Sequence, residues 1–254
     1  MAKEALPTSE SRRGDYVLRF AQTPEELDAI LKLRFEVFNL ELNEGLEQSF
    51  ETGKDEDELD ARFHHLAISL ESTGNIVGTY RMQTAHMAEA LGGFYSEGEF
   101  DLSGVPPDIL RDSVEIGRAC VAKEHRNGRV LQLLWRGLAQ YMMWNEKRYL
   151  FGCCSLTSQD RDLGYRVHQF LIEEGHAHPA CRVLPREGLE CPADAVREGP
   201  REDVHIPALF QSYLNLGARV CGPPAIDQLF QTIDYLVLLD THALDERIFR
   251  VFFR

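Results

Sequence analysis

Glu115 and Arg118 stand three residues apart in SVEIGRACV, a stretch otherwise apolar enough for a buried strand. Alternation in a strand puts Glu115, Gly117, Ala119 and Val121 on one face and Val114, Ile116, Arg118 and Cys120 on the other. A buried charge is costly in isolation, so each must pair or line a cleft. Two readings stay open at this point: structural salt bridges, or a functional site with a carboxylate able to accept a proton. The segment that follows, KEHRNGRV, has Gly128 for tight backbone geometry and then a helix start, whose unpaired amides and partial positive charge suit a phosphate. Lys123, Arg126, Arg129 and Arg136 make the same region basic, with a solvated helix face as the plainer reading. Upstream, GKDEDELDARFHH concentrates acids. Asp55, Asp57 and Asp60 could bind a cationic substrate, order Arg34, Arg81 and Arg118, or form a solvated loop. Asp227 and Asp234 offer similar chemistry near the end of the chain.

Other constellations point to less. His176, His178 and Cys181 in HAHPAC are three potential zinc ligands without an evident fourth, and the acids at 55–60 lack the spacing of a calcium loop, so no metal is expected. Cys153 and Cys154 sit in an apolar strand without an identifiable base, which suits inert thiols.

The elements that must hold these residues are readable. Residues 1–15 are polar and read as a loose arm; residues 16–254 read as one domain. TPEELDAILKLRFEVFNLEL predicts a helix with Thr23 as cap, Pro24 in the first turn and Glu26 closing a capping box. Leu27, Ile30, Leu31, Phe35 and Phe38 form its apolar stripe, and Arg34 falls on that side, so it needs a partner. HLAISL and NIVGTYRMQTA predict a hairpin. GRVLQLLWRGLAQYMMWNEKR predicts a long helix, YLFGCCSL a buried strand, and RDLGYRVHQFLIEE a helix despite Gly164. Residues 175–206 read as irregular, and a helix, a short strand and the strand IDYLVLLD follow. The pattern is mixed α/β.

Composition narrows the partners. The chain has 254 residues, 44% hydrophobic and 27% charged, which is ordinary for a globular protein. A formal net charge of -14 opposes general binding to nucleic acid or an anionic bilayer. No run is long and apolar enough to span a membrane, and the start lacks the apolar core of a secretion signal, so a cytoplasmic location is expected. Six cysteines without a repeated spacing suit free thiols.

VEIGRACVAKEHRNGRVLQLLWRGLA resembles the strand, pantetheine loop and helix of the GNAT acyltransferase superfamily. Within it, the resemblance is to the branch containing acyl-homoserine-lactone synthases, long-chain N-acyl amino acid synthases and ornithine-lipid N-acyltransferases. LRFEVFNLEL, DEDELDARFHHL and IVGTYRM resemble further motifs of that branch, and GPPAIDQLFQTIDYLVLLD resembles the C-terminal segment of the ornithine-lipid enzymes. The matches run in order from about Tyr16 to Asp240. They imply a GNAT-like mixed central sheet flanked by helices, with a C-terminal extension.

The implied reaction moves a long-chain, 3-hydroxylated acyl group from a thioester to the α-amine of an amino acid, with ornithine favoured as acceptor. Glu115 is then the candidate base, and Arg118 its charged companion, more suited to ordering the acidic loop. Backbone amides near Cys120 and Val121 would hold the oxyanion. Lys123, Arg126, Asn127, Gly128, Arg129 and Val130 would receive the phosphopantetheine arm. Arg34, Asp55, Asp57, Asp60 and Arg81 would bind the amino substrate or order its loop. At the family's loop positions this chain has His125, Gly128 and Val130. Crowding by Val130 favours acyl carrier protein over acyl-coenzyme A as donor, with no resident cofactor. His64 replaces an acid expected before the His-Leu pair. The partners implied are the carrier protein and the amino acid, not nucleic acid, with transient contact at the inner membrane face compatible with a lipid product. Alternatives are an N-acyl amino acid synthase with another acceptor, and a noncatalytic module that binds carrier protein or lipid.

Overall fold

The computed structural model describes residues 6–191 and 204–253. In chain order it comprises β1 (Ser11–Arg13), β2 (Tyr16–Phe20), α1 (Pro24–Phe35), α2 (Ser49–Thr52), β3 (His64–Leu70), β4 (Ile76–Thr84) and α3 (Ala85–Leu91). There follow β5 (Phe100–Asp101), α4 (Pro107–Arg111), β6 (Ser113–Val121), α5 (Gly128–Trp144), β7 (Tyr149–Leu156), α6 (Arg161–Glu173) and β8 (Leu184–Pro185). The last part holds α7 (Ala208–Asn215), β9 (Arg219–Val220), β10 (Ala225–Asp227), β11 (Thr232–Asp240) and α8 (Glu246–Phe253). This is the expected mixed α/β fold, a mostly antiparallel central sheet flanked by helices. The described residues group into two compact units. One takes those up to Thr84, Ile116–Lys147 and those from Glu246 on; the other takes Ala85–Glu115 and the described part of Arg148–Asp245.

In the first unit, β1, β2 and β3 pair antiparallel, with Ser11 opposite Leu18 and Leu18 opposite Ile68, and β3 pairs β4 with Leu66 opposite Tyr80. Ala122, just past β6, donates its amide to the Val77 carbonyl at 2.9 Å. The start of the chain is a correction: Ser11–Arg13 is an edge strand and not part of a loose arm. Arg12 and Arg13 are exposed while the half-buried Ser11 hydroxyl accepts from Gln140 Nε2 at 2.8 Å, and Gly14 at φ +65° makes the tight return to β2 that polarity alone does not reveal. Helix α1 has the capping box expected of Thr23 and Glu26, then continues as a π-helical stretch over Glu36–Glu41. Leu18, Ile30, Leu66, Ile68, Val130, Leu138 and Tyr141 are fully or almost fully buried. Phe252 of α8 rests on Trp135 of α5, with ring centroids 6.2 Å apart.

In the second unit, the first three residues of β6 pair parallel with β7, Glu115 standing opposite Phe151. Strand β11 runs antiparallel to β7, with Leu236 opposite Cys153 and Asp234 opposite Ser155, and also pairs β10 and β9. Phe100, Leu102, Phe151, Leu236 and Leu238 form the core. Gly164 is tolerated inside α6 for a packing reason: a Cβ there would meet Cys191 Sγ at 2.9 Å and Ile233 Cγ2 at 3.1 Å. The Gly164 carbonyl also accepts from Tyr235 Oη at 2.7 Å. Among the described residues no helix is long and apolar enough to cross a membrane.

Candidate active site

The structure brings Arg34, Asp55, Asp57, Asp60, Arg81 and Arg118 into one network. Arg34, wholly buried on α1, donates from Nε to Asp55 Oδ2 at 2.7 Å and from Nη1 to Asp60 Oδ1 at 2.6 Å. Arg81 on β4 donates from Nη1 to Asp57 Oδ2 at 2.6 Å and to Asp60 Oδ1 at 3.0 Å, and its guanidinium lies 4.8 Å from the centre of the Phe63 ring. Arg118 Nε lies 3.5 Å from Asp55 Oδ2, and its Nη2 donates to Asp57 Oδ2 at 3.4 Å. Three cations thus face three carboxylates. Burial would raise the Asp60 carboxyl, but Arg34 and Arg81 outweigh it and hold the group below the usual carboxylate range. His65 Nε2 sits 2.9 Å from the Asp60 carbonyl, and burial lowers this imidazole to about 4, so it is neutral near pH 7. A lone acid loop cannot be buried; one threaded by three arginines can.

Arg118 has φ +49°, in the left-handed region, within a strand. For a non-glycine residue this costs on the order of 1 kcal/mol or more and needs compensation, which Asp55 and Asp57 supply. The same kink breaks the strict alternation of faces read from the sequence. Glu115 engages a different region. Its Oε2 accepts from the Tyr95 amide and its Oε1 from the Ser96 amide, each at 2.8 Å, and it is 3% exposed. The carboxylate is held at the start of the 3-10 turn Tyr95–Gly98.

The basic loop is more self-satisfied than its sequence suggests. Asn127 caps α5: its Oδ1 accepts from the amides of Arg129 at 3.0 Å and Val130 at 3.2 Å, two donors expected for a phosphate. Its Nδ2 donates to Tyr16 Oη at 3.1 Å, and His125 Nδ1 lies at the same distance from that hydroxyl. Arg126, also exposed, forks onto Glu41 with two 2.7 Å bonds, and Lys123 and Arg129 are the loop's other exposed cations. Val130 is buried, its Cγ1 3.5 Å from where a Gly78 Cβ would stand. It points into the core, so crowding by Val130 gives no reason to prefer one donor. An Asn ahead of Gly and an apolar run is a cap signal that the sequence does carry.

The remaining candidates find structural roles. His64 Nδ1 lies 2.8 Å from Tyr141 Oη inside the first unit. Asp227 Oδ1 accepts from the amides of Leu229 and Phe230 at 2.8 and 3.0 Å, shaping a turn. His178 Nδ1 accepts from the Ala180 and Cys181 amides, which fits a loop better than a zinc ligand. Burial pushes the Cys154 thiol upward and leaves it protonated. What sequence reasoning missed is the turn whose Tyr95 and Ser96 amides hold Glu115, which no motif singles out.

The Acetyltransferase (GNAT) domain family matches residues 33–136, from the last turn of α1 to the first half of α5. An L-ornithine N(alpha)-acyltransferase of Rhodobacter capsulatus is 31% identical over 243 residues, covering 91% of this chain and 92% of the relative. That of Agrobacterium fabrum is 30% identical, covering 93% and 84%. Among solved structures, the AHL synthase LasI superposes with a TM-score of 0.49 at 14% identity, covering 94% of each chain. From identity of this degree over almost the whole length of both sequences, the chain belongs to the L-ornithine N(alpha)-acyltransferase family of GNAT N-acyltransferases.

Proposed function

We propose that this enzyme transfers a long-chain, 3-hydroxylated fatty acyl group from acyl carrier protein to the α-amine of ornithine, giving the lyso-ornithine lipid precursor. The observation that carries this reading is the end-to-end similarity to relatives named for acylating ornithine at that nitrogen. In the reaction the neutral amine attacks the thioester carbonyl, the C–S bond breaks, and the pantetheine sulfur leaves as the thiol after taking a proton. Glu115 accepts the proton from the attacking nitrogen, directly or through a water. Its two oxygens are aimed by the Tyr95 and Ser96 amides that they accept from, each at 2.8 Å. Backbone amides near Cys120 and Val121 receive the oxyanion, and Arg118 acts as a positioning residue for the acidic loop.

Lys123 and Arg129 support a carrier-protein donor, because exposed cations on a chain of net charge -14 give an acidic carrier one local place to land. Transient contact with the inner face of a membrane follows from the amphiphilic product. The deciding experiment offers purified protein a 3-hydroxyacyl carrier protein and an equimolar mixture of amino acids, with products read by mass spectrometry. A dominant acyl-ornithine is expected. Another acyl amino acid would change the acceptor, product from acyl-coenzyme A alone would change the donor, and no product with either donor would leave a binding module.

A further inference from the structure

Four of the six cysteines are plain core thiols, and two are not. Burial pushes the thiols of Cys120, Cys153, Cys154 and Cys191 up, which leaves them protonated and inert. Cys181 and Cys221 belong to the core of the second unit, 0% and 1% exposed, and are hydrogen-bonded to each other through their side chains. Both are free thiols. Their contact splits their acidities. It draws the Cys181 thiol down, with His178 and Arg182 acting the same way against burial, and together with burial it pushes the Cys221 thiol up.

The backbone brings the two thiols together independently of their acidity. Ala177 forms a parallel bridge with Val220, the Val220 amide donates to the His176 carbonyl, and the His178 amide donates to the Val220 carbonyl, each bond 2.8 Å long. Further on, the Val183 amide donates to the Cys221 carbonyl, and the Cys221 amide to the Leu236 carbonyl on β11, again at 2.8 Å. The two segments run so close that a Cβ on Gly222 would collide with the Val183 carbonyl. On the other side, the Arg182 amide donates to the Gly104 carbonyl at 3.0 Å and the Arg186 amide to the Glu99 carbonyl at 2.7 Å. Cys181 follows directly on the surface residues Pro179 and Ala180, both exposed, so a short local opening gives a small oxidant access.

We propose that Cys181 and Cys221 are an oxidisable pair, a disulfide site that takes its oxidising equivalent from a small peroxide. The peroxide transfers one oxygen to the Cys181 thiolate, giving a sulfenic acid, and its other oxygen leaves as hydroxide, which the proton released by Cys181 converts to water. The Cys221 sulfur then attacks the sulfenic sulfur: the S–S bond forms, the S–O bond breaks, and the hydroxyl leaves as water with the Cys221 proton. Two thiols and one peroxide give one disulfide and two waters. The disulfide closes the chain between the two residues into a loop, which removes freedom from the unfolded state. The site is separate from the acyl transfer proposed above, and its test needs no turnover.

The test treats the wild type with hydrogen peroxide, alkylates the remaining thiols in denaturant and reads the digest by mass spectrometry. Expected is a peptide cross-linked between Cys181 and Cys221 and reversed by dithiothreitol, formed at least about ten-fold faster than any oxidation of Cys120, Cys153, Cys154 or Cys191. Its formation should raise Tm by about 5–10 °C. Oxidation of all six cysteines at one rate, or of Cys181 to sulfinic acid without the cross-link, overturns the proposal. A Tm that fails to rise on cross-linking overturns it too, since the folded chain would then not hold the sulfurs ready to bond. Cys221→Ser removes the second thiol and should leave Cys181 as a sulfenic acid that dimedone traps. A folded variant without that adduct refutes Cys181 as the attacking sulfur.

Discussion

Two buried acidic clusters among the described residues differ in the direction in which their carboxyls are shifted. In the first unit Asp55, Asp57 and Asp60 face Arg34, Arg81 and Arg118, with Arg34 wholly enclosed. In the second, Asp234 is surrounded by Asp227, Glu99 and two hydroxyls, with its carboxyl raised instead of lowered. The lesson is that acid content does not identify a receptor for a cationic substrate. A carboxylate matched by a guanidinium holds a loop and titrates low, while one dominated by burial and a neighbouring acid titrates high.

The largest effect that could break this contrast is on stability. Arg34→Met leaves Asp55 and Asp60 buried without their main cation and should cost about 3–5 kcal/mol, lowering Tm by roughly 10 °C in thermal denaturation. A variant as stable as the wild type would show that these ion pairs do not hold the loop. Next is acid sensitivity. With His65 lowered from 6.5 to about 4, the unfolded chain takes up this proton before the folded one does. Stability from this group is therefore complete above pH 6.5 and declines toward pH 4, by on the order of 3 kcal/mol. Urea titrations of His65→Gln across that range should show a flatter slope than the wild type.

A smaller effect of opposite sign belongs to the second cluster. A carboxyl held above its usual range favours folding when protonated and loses that contribution as pH rises through its folded value. Asp234→Asn should therefore unfold at higher urea than the wild type near pH 8. Coincident losses of stability and turnover would place Asp234 with the scaffold. The smallest effect is at the exposed pair Arg126–Glu41, worth under about 1 kcal/mol to folding. Glu41→Gln should leave Tm nearly unchanged while strengthening carrier-protein binding at low salt, as measured by fluorescence anisotropy, with the gain vanishing as salt rises.

Local order accounts for what the sequence by itself determined. Thr23, Pro24 and Glu26 specify the start of α1 because their bonds close within one turn, and helical periodicity alone places Arg34 on the buried side where a partner is required. The hairpin of β3 and β4, and the passage from β6 through a basic loop to α5, are legible for the same reason. The edge strand Ser11–Arg13 is not, since its pairing comes from the backbone and its three polar side chains show no apolar alternation. Tertiary structure alone decided which acids have counterions. Arg34 reaches Asp60 across 26 residues and Arg81 reaches Asp57 across 24, and no spacing rule connects them. Glu99 and Asp234 come from a turn and a strand far apart in the chain, and meet because β11 lies antiparallel to β7 in the register that sets Asp234 opposite Ser155. Sequence records which groups carry charge; whether that charge is neutralised depends on separations of a few ångströms, which only the folded chain fixes.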